Sequence, residues 1–123
     1  MMIGIDLVSI LQYYHFKNYV YNNLNPKHIM LGRGENYGKL YIIDYSKSNR
    51  YRDSQYQEHV SEPAERNSEM RFNNMEFSSL NYHKGLISTR RDDMESMLYL
   101  LAYFINGELP WTSEVRNLKK TEF

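Results

Sequence analysis

A chain of 123 residues is about one small domain long and folds alone only if nearly all of it packs. Its 15 basic residues balance its 15 acidic ones, which removes the basic excess that phosphate-backbone binding needs and, with it, nucleic acid as an expected partner. Cysteine is absent, so disulfide frameworks, thiol nucleophiles and Cys-rich zinc sites are excluded and an intracellular location, cytoplasmic or nuclear, is expected.

The apolar start lacks a cationic lead and meets Asp6 at once, and the charge-free run 97–107 is far below the ~20 residues of a membrane span, so neither a signal peptide nor membrane contact is expected. Ile3, Leu7, Ile10, Leu11 and Tyr14 recur at helical steps and predict a helix over 3–18 that closes at Asn18. The stretch 19–28 reads as a polar loop, because Pro26 biases Asn25 away from helix and three Asn favour turns. The β-type runs 29–31 and 40–43, parted by the Gly-containing segment 32–38, predict a hairpin over 29–43. Asp44 follows at the strand end, where a carboxylate serves either as a metal or substrate ligand or as an ordinary turn residue.

Between 46 and 77 there is no periodicity, the mark of a functional loop or disorder, and the stretch admits a domain boundary. Thr89, with Asp92 three residues on, can cap a helix over 90–106 that Gly107 and Pro110 stop. Its apolar residues Met94, Met97, Leu98, Leu101, Ala102, Phe104 and Ile105 cover most of the circumference, which predicts burial on all sides. A hairpin and one further helix barely supply that burial, so the chain reads as part of a larger fold.

Candidate chemistry is sparse. His15, His28, His59 and His83 stand 13, 31 and 24 residues apart, spacings that match no zinc pair. No serine lies in a G-x-S-x-G context, and no carboxylate pair brackets a cleft, so hydrolase chemistry has no anchor. The abundance of Tyr and Asn, 12 of each, points to no function by itself.

Taken in order, YYHFKNYV (13–20), Pro26, IMLG (29–32), KLYIIDY (39–45), YRD (51–53), the H-x-G of His83 and Gly85, STRRDDMES (88–96) and GELPW (107–111) resemble the C-lobe of the casein kinase I superfamily, which includes the vaccinia-related kinases. The resemblance spans nearly the whole chain. It implies an α+β, protein-kinase-like fold, a mostly α-helical C-lobe with a short β-hairpin. The chain would be one partial domain over 1–123, with a catalytic-loop region at 19–28, an activation-segment region at 44–80 and no N-lobe. The family's Gly-rich loop, strand Lys and Glu partner do not occur in this sequence.

Such kinases use ATP and Mg²⁺, and Pro26 sets this sequence in register with their H-R-D-x-K-P-x-N loop. Asn23 then stands at the position of the catalytic base, Asn25 at that of the Lys, and His28 at that of a metal-binding Asn. Asp44 is the one metal ligand retained, and Ser46 replaces a Gly. An amide has no useful basicity, Asn25 brings no charge to a phosphoryl group, and imidazole suits Mg²⁺ poorly, so binding of ATP and Mg²⁺ is doubtful here. Glu76 stands where family members carry an anion-binding Arg. Structural roles are implied for Arg91, Trp111 and Asp93, the last as a buried anchor for backbone N–H groups near Tyr21 and Asn22, with Asp92 a solvated first-turn residue. The implied function is that of a catalytically inactive pseudokinase acting through a protein partner. The alternative is an active Ser/Thr kinase whose N-lobe is supplied elsewhere.

Overall fold

The computed structural model describes residues 2–60 and 74–121. Helix α1, Met2–Phe16, turns one face inward: Leu7 and Leu11 are fully buried, flanked by Ile3, Ile10 and Tyr14. It ends two residues before the expected limit because Asn18 adopts φ 76°, a left-handed geometry that Asn tolerates, and so swings the chain out of the helix. The chain continues into β1, Tyr19–Val20, then through a 3₁₀ turn at Pro26–His28 into β2, Ile29–Leu31, and β3, Leu40–Ile42.

The β2–β3 pair is antiparallel, with Ile29 opposite Ile42 and Leu31 opposite Leu40. Its connection needs Gly32, where a Cβ would stand 2.2 Å from the Asn36 carbonyl oxygen. A second small antiparallel pair joins β1 to β4, Asn49–Arg50. Helices α2, Leu80–His83, α3, Arg90–Asn106, and α4, Thr112–Thr121, complete a mixed α+β fold. Helix α4, like α2, was not among the expected elements. Among the described residues no helix is long and apolar enough to cross a membrane.

Leu7, Leu11, Tyr21, Leu24, Ile42, Phe77, Met97, Leu100 and Leu109 form one core. Phe77 aside, these residues come from segments before and after 46–77, which thus share one core. Within 46–60 the chain is built into the fold: Tyr51 is buried and Arg52 bridges to His59. Residues 61–73 lie outside the described residues, and the expectation of a loop or disorder there with them.

Helix α3 is not buried all round. Leu98 and Ile105 are 61% and 68% exposed, because its partners among the described residues cover one side only. Helix α1 lies antiparallel on it, with Gly4 against Leu101 and His15 against Asp93, and Phe77 and Trp111 pack on Tyr103 and Tyr99.

Candidate functional site

The N-terminus of α3 positions the polar loop 21–28. Asp93, 1% exposed, accepts hydrogen bonds from the backbone N–H of Tyr21 at 2.8 Å and of Asn22 at 2.9 Å. His15 Nε2 stands 2.8 Å from the same carboxylate and, facing an acceptor, must carry a proton. His15 in turn accepts through its carbonyl from the Tyr51 hydroxyl at 2.8 Å. Charge-assisted bonds of this kind are about twice as strong as neutral ones, so one carboxylate ties α3, the end of α1 and the loop together.

Asp92 is buried as well, 4% exposed, which corrects its expected solvation. It accepts from the Thr89 N–H at 2.8 Å and from the Ser79 hydroxyl at 2.7 Å. It thereby caps α3 and pins the segment before α2. Arg91 is exposed and has no hydrogen-bond or ion-pair partner among the described residues. Trp111 is anchored: its Nε1 donates to the Glu76 carbonyl at 2.7 Å, while the Thr112 hydroxyl donates to the Glu76 carboxylate at 2.5 Å.

The structure gathers Asn23, His28 and Asp44 at one place. Asn22 and Asp44, both in the left-handed region at φ 66° and 64°, turn the two segments toward each other. His28 Nδ1 is 2.7 Å from the Asn23 carbonyl oxygen. A carbonyl only accepts, so Nδ1 carries a proton, and the other ring nitrogen, Nε2, lies 3.5 Å from Asp44 Oδ2. The Asn23 amide donates to the same oxygen at 3.4 Å. Asp44 Oδ1 accepts from the Ser46 hydroxyl at 2.5 Å and from the Ser46 N–H at 3.2 Å. These bonds favour the ionised form and hold the carboxyl below its usual pKa.

Asn25 stands apart from that group, and its side chain is taken up structurally. Its oxygen accepts from the Lys27 N–H at 3.0 Å and its amide donates to Asn74 Oδ1 at 3.0 Å. Asn74, whose own amide donates to the Leu24 carbonyl at 2.8 Å, was not singled out in the sequence. Its signal there was only membership of the Asn excess. Tyr21, fully buried, donates its hydroxyl to the Ile43 carbonyl, and burial raises its pKa.

Chemically, the cluster holds one carboxylate, one imidazole and one amide. Mg²⁺ takes oxygen ligands, in proteins one or two carboxylates beside water and phosphate. Here Asp44 brings one carboxylate, and His28 brings a nitrogen to the place of an oxygen ligand. The nitrogen of His28 is the part of this donor set that suits that ion poorly. No protein-family model matches the chain.

Proposed function

We propose that the chain is a kinase-like C-lobe that no longer transfers phosphate and acts by binding a protein partner. The observation that carries this reading is the contrast around Asp93. Its carboxylate fixes the Tyr21 and Asn22 backbone, while the loop so fixed offers only Asn23, Asn25 and His28 where phosphoryl transfer needs a base, a cation and an oxygen ligand. The scaffold of a catalytic loop is built and its chemistry is substituted. Asp44, exposed and ionised, favours the second reading of an active Ser/Thr kinase completed by another chain.

Incubation with radiolabelled ATP, Mg²⁺ and casein discriminates the two. The expected outcome is no transfer to casein or to the protein itself, and no rise in Tm with millimolar ATP, since a ligand of the native state must stabilise it. Label transfer that Asp44→Ala abolishes establishes the second reading instead.

A further inference from the structure

The described residues enclose another concavity, of about 380 Å³, between α2, the middle of α3 and α4. Its size falls in the range of small-molecule sites, and it lies apart from the Asn23–His28–Asp44 cluster. We propose that this cavity binds an alkylated ammonium group, with Trp111 and Tyr99 as its walls and Glu114 as its counter-charge. The proposal stands independently of the kinase-like reading.

Trp111 and Tyr99 both line the cavity and meet at 82° with ring centroids 5.0 Å apart, an angled aromatic corner. Their polar atoms are already committed inside the protein. The indole N–H donates to the Glu76 carbonyl, and the Tyr99 hydroxyl donates to Glu95 at 2.5 Å, which raises its pKa to about 12. Both rings are thus held in place and offer apolar and π surface.

Leu80 and Val115 add aliphatic surface, and among the described residues no Lys or Arg lines the site. His83 Nε2 is 3.0 Å from the Met75 carbonyl oxygen, which accepts from it, so that nitrogen is committed inside the protein. The carboxylate in the lining is that of Glu114, which is exposed and has no hydrogen-bond or ion-pair partner among the described residues.

Each ligand class meets this lining differently. An anion is repelled by Glu114, and a neutral hydrocarbon leaves that charge unanswered. A primary ammonium brings three donors and a tight hydration shell. The rim carboxylate of Glu114 answers part of that need, but the aromatic and aliphatic walls leave the rest of its dehydration uncompensated. An alkylated ammonium spreads its charge over methyl groups, which bury against Leu80 and Val115, while the ring quadrupoles and Glu114 attract the cation.

The group can be carried by a free quaternary amine or by a methylated lysine in a peptide. Trp111 is the chain's single tryptophan, so tryptophan emission, excited beyond the tyrosine band, reads this site. Choline is titrated against its uncharged isostere 3,3-dimethylbutan-1-ol, and a Gly/Ser decapeptide with one trimethyl-lysine against the same peptide with norleucine. Expected is a saturable emission change with a cation and a response about tenfold weaker with its neutral counterpart. The tighter of the two cations names the source. In Glu114→Gln, an exposed position whose Tm should not change, affinity should fall about fivefold, the scale of a part-exposed charge pair. Equal responses to cation and isostere, unchanged affinity in Glu114→Gln, or no saturable change with either cation overturns the proposal.

Discussion

Asp93 and Asp92 are sequence neighbours with the same chemistry, yet they do different jobs. Asp93 serves residues 72 and 71 positions away, the Tyr21 and Asn22 N–H groups, whereas Asp92 closes its own helix and holds Ser79. Removing either strands buried donors, each at about 1–3 kcal/mol. Asp93→Ala loses three partners and is expected to cost roughly 3 kcal/mol or more, Asp92→Ala about 2 kcal/mol. Asn23→Ala removes one long amide bond of 3.4 Å and should cost under about 1 kcal/mol. Urea unfolding of the three variants checks the order, and a harmless Asp93→Ala denies the anchor. The Asn excess, silent in the sequence, also acquires a meaning at this scale. Asn18, Asn22 and Asn74 all sit at positive φ, where Asn is the least strained residue after Gly.

At the scale of elements, α3 shows how local signals and packing divide the work. Its ends are local chemistry. Thr89 and Asp92 close the start, and Gly107 closes the finish at φ 80°, its N–H donating to the Tyr103 carbonyl at 2.7 Å. A Cβ at Gly107 meets nothing within 4 Å, so Gly107→Ala carries the backbone penalty alone, about 1 kcal/mol. Ile105→Gln, on the exposed side of the same helix, should change stability by under about 0.5 kcal/mol. Equilibrium denaturation gives both values, and a large loss at Ile105 means that the outer side of α3 is covered after all. Helix α4 was illegible for the opposite reason: it has only Val115 and Leu118 as apolar positions, and its placement depends on the Trp111 and Thr112 bonds to Glu76.

Over the whole molecule, one core draws on α1, the loop at Leu24, β3, Phe77, α3 and Leu109. No part of that list buries its apolar surface without the others, so unfolding should be cooperative. Trp111 emission reports the α3–α4 corner and far-UV circular dichroism reports all helices, and the two should give one coincident urea transition. Separate midpoints mean that the segments before and after 61–73 fold as distinct units. The tyrosines take part at this scale too. Tyr14 stacks on Tyr45 at 5.8 Å, with Tyr21 edge-on to both, and so packs α1 against the chain that follows β3.

The sequence by itself determined what depends on neighbours along the chain: the inward face of α1 through Leu7 and Leu11, the hairpin ended at Asp44, and the caps of α3. Helical period, turn residues and caps act within a few residues, and their energies do not wait for the fold. Only the tertiary structure decided the pairing of β1 with β4, the burial of Asp92, the bare outer side of α3, and the meeting of Asn23 with His28 and Asp44. Two-residue strands carry no period, burial depends on which surfaces arrive opposite, and a site joined across 21 residues exists only once α3 holds its loop in place.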